Sequence, residues 1–383
     1  MPQAALHLGR NIIILVPPAA IRRALPAIIL RHFTTILFLS FASTLCFGQT
    51  KAELKKIYKF KKSFLKNAKL NYRDTLVLGN LRIVGERFYE FRDIKTLDKA
   101  KDYAVGEQFY DNIKQIKKIT KYDTVGRPIG IAKHYTKNGE LQYIQNYDKG
   151  EWIVYDRASH PYYDLQNSIK AKADSLISKM YGNDFLRNHT VWVIDGSYIS
   201  NDKERRTRWT EKLKEEPTKF SFCYKVKLDS QNNYDSYIYF DLDNYGFFIP
   251  NLQGGGMFFS GSGFENIPDS LKGSFKLNYD EALIEAKKIG LMETDSTKAF
   301  GQLFWEDFRK SNIYNGQFRF YILIKTKAIE NLNPNGRSTK TNKYDVYSFS
   351  PWTGDFIEIK KMKTKHWWEK ERSGFTLLEP DKE

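Results

Sequence analysis

The feature that most restricts the fold is a rhythm of strands and turns that recurs from residue 113 onward. The stretch YDVYSFSPWTGDFIEI, residues 344–359, reads as two strands about a tight turn. Side chains that alternate with period two mark a strand with one covered face. Gly, Asn and Asp at the breaks supply the positive φ that hairpin turns need. Over 113–157 the breaks fall at Thr124–Pro128, Lys137–Gly139 and Asp148–Gly150. The intervening segments 113–122, 129–136, 140–147 and 151–155 predict an up-and-down meander.

A second regularity follows. Residues 164–181 put Leu165, Ile169, Ala173, Leu176, Ile177 and Met180 on one helical face, and Gly182 stops the helix. After a long loop come strands at 219–228 and 236–242, and a turn at Asp243–Gly246. Near the end of the chain the order repeats: a helix at 279–290 with Ala282, Leu283, Ala286 and Ile289 inward, strands at 317–327 and 343–349, and a turn at Ser350–Gly354. The spacing from Gly182 to Gly246 equals that from Gly290 to Gly354, and Phe220, Phe222 and Val226 mirror Phe318, Phe320 and Ile324. The reading is a duplication, 164–250 and 276–362, joined by a Gly-rich linker at 251–275. The predicted class is α+β: a β-meander followed by two helix-on-antiparallel-sheet units. Each helix covers one sheet face and leaves the other open.

The second copy resembles a PepSY-type domain, of cystatin-like build. The resemblance rests on Asp280-Glu281-Ala282-Leu283 with Ala286, and on Thr353-Gly354-Asp355-Phe356-Ile357. In this reading Asp280 caps the helix. The first copy departs from the pattern, with Tyr245-Gly246 in place of Thr-Gly. The stretch 113–157 is similar to the hairpin repeats of MORN-like proteins. The PepSY resemblance implies an exported or envelope-associated module that binds proteins or restrains peptidases rather than doing chemistry.

Residues 22–49 have the parts of a secretory signal: Arg22, Arg23 and Arg31, then an uncharged apolar run from Thr34 to Leu45, then Cys46 and Gly48 before a cleavage point. The predicted mature chain starts at Gln49, with 1–48 as signal peptide and an N-terminal extension from an early start codon. A lipoprotein signal would use Cys46, but Leu45 stands where a small residue belongs. The apolar run is shorter than the roughly 20 residues of a membrane span, so no transmembrane helix is expected in the mature chain. Periplasmic, outer-membrane-associated and extracellular destinations stay open, as does oligomeric state. Residues 49–112 read as a basic helix and short strands, with strands about Gly79-Asn80 and a helix within 96–117. In 51–69 eight lysines accompany one acid, and the apolar stripe fits either a membrane-surface helix or a solvated leader. Residues 363–383 read as a tail.

Aromatic residues are 15% of the chain, which favours half-covered pleated surfaces. The formal charge is +16, and without the first 48 residues 57 basic side chains still face 45 acidic ones. That balance suits an envelope protein or an anionic surface as partner. For an exported chain no nucleic acid is expected. Cys223 is alone in the mature chain, so neither an internal disulfide nor a multi-cysteine zinc site can form.

No catalytic, cofactor-binding or metal-binding residue is assigned. His134, His160, His189 and His366 lack zinc-helix spacing and read as surface or packing residues. DLDNYG at 241–246 has Asp241 and Asp243 as in a calcium loop, but Leu252 replaces the closing acid, which favours a plain turn. GGGMFFSGSG at 254–263 lacks the ending of a phosphate loop. Lys363, Lys365, Trp367 and Trp368 form the one candidate binding surface, since rings beside cations grip lipid interfaces or sugars. The expected function is a non-catalytic, envelope-associated binding protein. The alternatives are an envelope-polymer hydrolase or protease without a recognisable motif, and a structural component of a surface assembly.

Overall fold

A computed structural model describes residues 49–88, 91–110, 115–203, 206–227, 236–249, 264, 267–276, 278–306, 317–334, 336–370, 372–376 and 378–381. The expected signal peptide and the 254–263 glycine run lie outside the described residues. The chain divides into two units, one up to Val105 and one from Gly106.

In the first unit, helix α1 (Lys51–Asn67) starts at a capping box. Thr50 Oγ1 accepts from the Glu53 N–H at 3.3 Å, and Glu53 Oε2 accepts from the Thr50 N–H at 2.8 Å. Strands β1 (Tyr72–Leu78), β2 (Leu81–Phe88) and β3 (Phe91–Asp98) follow as antiparallel neighbours. The buried ring of Phe64 lies directly over Gly85 of β2, where a Cβ would stand 2.7 Å from it. The apolar stripe of α1 is thus packed on its own sheet, which leaves neither a membrane-facing helix nor a loose leader. Among the described residues of 96–117 no helix is found. That stretch holds the end of β3, strand β4 (Tyr103–Tyr110) and the start of β5 (Ile116–Asp123), because charged residues alternate with apolar ones there instead of recurring at helical spacing.

In the second unit, β5, β6 (Pro128–Tyr135), β7 (Leu141–Asn146) and β8 (Glu151–Val154) form an antiparallel meander. Helix α2 (Tyr163–Tyr181) comes next. Its sheet contains β9 (Thr190–Trp192), β10 (Tyr198–Ser200), β11 (Thr207–Arg208), β12 (Lys219–Val226), β13 (Ser236–Asp243) and β14 (Phe248–Ile249), in the order β11-β10-β12-β13-β14 with β9 also on β12. Ile169, Ala173 and Ile177 of α2 meet Phe220, Phe222, Tyr224, Phe240 and Leu242 in the largest core, which Trp209 and Trp352 complete.

Helix α3 (Tyr279–Lys288) is capped by Asn278, not by Asp280. The Asn278 Oδ1 accepts from the N–H groups of Asp280 and Glu281 at 3.0 and 3.4 Å. Its sheet orders β15 (Phe300–Glu306), β16 (Gln317–Asn331), β17 (Ser338–Phe349), β18 (Phe356–Glu369) and β19 (Arg372–Phe375) consecutively, with β20 (Glu379–Pro380) on β18. Ala282 and Ala286 pack on Phe320, Ile322, Tyr347 and Phe349. The opposite sheet face holds a separate core of Tyr321, Leu323, Tyr344, Val346 and Met362.

The α+β class is therefore corrected. Three antiparallel sheets dominate the chain, helices are few, and the fold is β-rich rather than a meander with two helix-on-sheet units. The difference comes from strands that carry little sequence signal. Strands β9 to β11 occupy the supposed long loop, β15 precedes the second hairpin, and that hairpin runs on to Asn331 and from Ser338. The supposed tail begins inside β18.

Candidate functional site

The residues singled out by sequence share one strand but not one surface. Along β18 Lys363, Lys365 and Trp367 point to one face of the sheet and Trp368 to the other, by the two-residue alternation of a strand. Arg337 lies over the Trp367 ring at 4.1 Å, and that ring rests against Gly374 of β19. Asp381 takes Lys343 at 2.6 Å and Lys363 at 3.4 Å, and the hydrogen bond from Lys343 leads the causes that hold its carboxyl below the usual range. Trp368 stacks beside His366, ring centroids 5.3 Å apart. Three of the four side chains are thus engaged within the chain's own sheet, and only Lys365 stands clear.

Two of the histidines converge instead. His134 of β6 stacks on Tyr143 of β7 at 4.1 Å, and His160 meets the same ring edge-on at 5.4 Å. Gln145 Nε2 donates to Asp195 Oδ1 at 3.2 Å, so its Oε1 receives the His134 Nε2–H at 2.9 Å. The Tyr147 hydroxyl donates to Asp195 Oδ2 at 2.8 Å and accepts from Lys118 Nζ at 3.1 Å. Burial, and then the charge of Lys118, push His134 down to about 3. Burial, then the charge of Asp195, raises the Tyr147 phenol far above its ordinary value. General acid–base work at neutral pH calls for a group that titrates near that pH, and neither residue does. The network ties the meander to the 194–196 turn.

The remaining candidates resolve as structure. His189 Nδ1 meets the Lys227 carbonyl at 3.1 Å. Asp243 Oδ1 accepts from the N–H groups of Tyr245 and Phe247 and so closes a turn. Lys219 engages Asp241 at 2.7 Å. Cys223 is buried, and burial pushes its thiol up to about 12, far from a nucleophile's range. Among the described residues no three His, Cys, Asp or Glu side chains gather to hold a metal ion, and no helix is long and apolar enough to cross a membrane.

One surface remains with the chemistry of a binding site: the face of the second sheet turned away from α2. Pairing fixes its layout. Arg208 of β11 stands opposite Tyr198 of β10, Tyr198 opposite Ser221 of β12, and Ser221 opposite Asp241 of β13. Cys223 lies opposite Tyr239 and Lys225 opposite Tyr237 on the same face. The intervening residues Ile199, Phe220, Phe222, Phe240 and Leu242 point the other way into the core. Tyr237 and Tyr239 are 44% and 39% exposed, a large area for tyrosines in the middle of a strand. Their rings stack at 5.8 Å, and the Tyr239 hydroxyl donates to the Cys223 sulfur. The Arg206 guanidinium lies 3.8 Å from the Tyr198 ring centroid. Tyr245 and Phe247, 68% and 70% exposed, flank the face at the β13–β14 turn.

No protein-family profile matches the chain, and no curated protein does. Two solved structures align with it over most of their length. One is an uncharacterized protein from Eubacterium rectale, at 11% identity over 82% of this chain and 84% of that one, with a TM-score of 0.14. The other is a lipopolysaccharide binding protein, at 8% identity over 85% and 79%, also with a TM-score of 0.14. Likeness at that level carries no argument.

The tyrosine face is not among the sequence-derived candidates, although half of it carries a signal. In SYIYFDL the alternation of Tyr237 and Tyr239 with Ile238 and Phe240 marks one wet and one dry face. Tyr198, Arg206 and Arg208 come from a stretch that reads as loop, and only the pairing of β10 with β11 and β12 brings them alongside.

Proposed function

We propose that this chain is an exported, non-catalytic, envelope-associated binding protein that takes its partner on the open face of the second sheet. The carrying observation is the exposed pair Tyr237 and Tyr239 on one sheet face with the half-buried Tyr198 and the exposed Arg206 and Arg208. Exposed aromatics grouped on one rigid face are what partner surfaces are built from. The engagement of ionisable groups supports the same reading, because Asp195 accepts from Tyr147 and from Gln145, and Gln145 in turn holds His134. The leader-like residues 22–48 support export. The PepSY-like segment supports a contact role, and its Thr353-Gly354 turn is closed by the Gly354 N–H on the Ser350 carbonyl at 2.8 Å.

The test is binding of the mature chain to isolated cell envelopes, wild type against a Tyr237→Ala/Tyr239→Ala variant, with circular dichroism as the check on folding. The expected result is saturable binding that weakens about tenfold in the folded variant. Equal binding by both proteins, or turnover of an envelope polymer by the wild type, would overturn the proposal.

A further inference from the structure

The open face of the second sheet also carries information about what it holds. We infer that its ligand is an acidic polysaccharide, a sugar polymer bearing carboxylates. This rests on the reading of that face as the binding surface.

Charge is the first argument. Arg206 and Arg208 are exposed and lack an acidic partner among the described residues, whereas the acids of the same face are committed: Asp241 to Lys219 at 2.7 Å, and Asp243 to the N–H groups of its own turn. A cationic margin is left along the β11 side. Arginine presents a planar fork that matches a carboxylate with two parallel hydrogen bonds. The Arg206 guanidinium lies over the Tyr198 ring, 3.8 Å from its centroid, and this contact keeps the cation on that side of the face.

The rings are the second argument. Tyr237 and Tyr239 stack nearly parallel, 27° apart with centroids at 5.8 Å, and both stay exposed on the sheet. A nucleobase slipped between two rings needs about 7 Å, twice the van der Waals thickness of an aromatic ring, so this pair does not open to intercalation. An exposed tyrosine ring suits the C–H face of a pyranose. The third argument is extent. From β10 across β12 to β13 the face spans two interstrand steps, about 10 Å, so the arginine margin and the tyrosine pair serve different residues of one extended chain. A sheet face offers breadth rather than enclosure, which favours a repeating polymer that adds several weak contacts.

The experiment titrates mature protein with polygalacturonate, neutral dextran and poly(dT), read by calorimetry at low salt and at about 0.15 M salt. The expected result is binding to polygalacturonate at least about tenfold tighter than to dextran, weakening with salt, as charge-assisted contacts require. Arg206→Gln/Arg208→Gln should remove most of that preference. Tyr237→Ala/Tyr239→Ala should weaken both sugar polymers by about tenfold, since both would rest on these rings. Equal affinity for dextran and polygalacturonate would overturn the acidic assignment, and preference for poly(dT) would overturn the sugar assignment. Silence with all three polymers, while envelope binding persists, would reject the polysaccharide and leave the open face standing as the binding surface. Loss of envelope binding as well would reject both.

Discussion

His134 donates from Nε2 to Gln145 Oε1 at 2.9 Å, a bond between neighbouring strands that places the proton of the neutral ring on Nε2, in a half-buried site beside Lys118. Burial first, and then the charge of Lys118, hold this histidine at about 3 against an ordinary 6.5. Lys117 and His160 add to the repulsion of a proton there. Below the ordinary value the unfolded chain takes up a proton that the folded chain refuses. The stability contribution is therefore complete above 6.5 and is lost progressively as pH falls toward 3. At pH 5 the loss amounts to about 2 kcal/mol relative to pH 8. Urea denaturation at the two pH values measures it, and His134→Gln should flatten the difference by about that amount. An unchanged pH slope in the variant would remove His134 as its source.

Asp174 of α2 receives the Tyr224 hydroxyl at 2.8 Å and both bonds from Lys170 at 2.7 Å. Lys170 also sits over the rings of Trp192 and Tyr224, at 5.0 and 5.3 Å. The carboxylate thus offsets a lysine whose pKa is lowered first by burial. Tyr224→Phe should cost about 1 kcal/mol and Asp174→Ala about 2 kcal/mol, the second because a largely buried cation loses its partner. In a double-mutant cycle the coupling should be about 1 kcal/mol. Strict additivity would mean that the bond contributes nothing measurable.

The two tryptophans of β18 should behave differently. Trp367 bridges Arg337 and Gly374, whereas Trp368 stacks only beside His366 among the ring contacts of that strand. Removing Trp367 takes away what holds β19 against β18. Trp367→Ala should therefore raise the rate of tryptic cleavage at Lys370, in the connecting turn, by about tenfold, with a smaller effect for Trp368→Ala. Equal rates in the two variants would show that Trp367 holds nothing in place.

What could be read from the sequence follows physical signal strength. Helix α2 was expected at 164–181 and spans Tyr163–Tyr181, because six apolar residues recur on one face over five turns. The meander strands lie within a few residues of their expected bounds, since turn residues punctuate each one. Strands β9, β10 and β11 have two or three residues each, too short for a period to register. The hairpin end at 328–342 is rich in Lys, Thr and Asn because that part of the sheet has little core to cover, so it reads as loop although Ala328–Asn331 pair with Thr339–Asn342. The Lys363–Trp368 run looks like one patch when read as composition, but strand alternation divides it between two faces.

The equally spaced glycines end in matched backbone. Gly246 and Gly354 adopt φ of +83° and +79°, each in the turn after the second long strand of its sheet. Their surroundings differ. A Cβ on Gly354 would meet nothing within 4 Å, while one on Gly246 would run into the Lys172 side chain, whose Nζ donates to the Tyr245 carbonyl. Gly354→Ala should thus report the conformational term alone, about 1 kcal/mol. Gly246→Ala should cost more by about 0.5–1 kcal/mol, the work of displacing the lysine stem. The excess should largely vanish in a Lys172→Ala background, where only the Cβ of residue 172, 3.1 Å away, remains. Chemical denaturation of the four proteins gives the comparison. If Gly246→Ala costs the same with Lys172 present or absent, the lysine does not press on that turn, and the two glycines are equivalent in energy as well as in backbone.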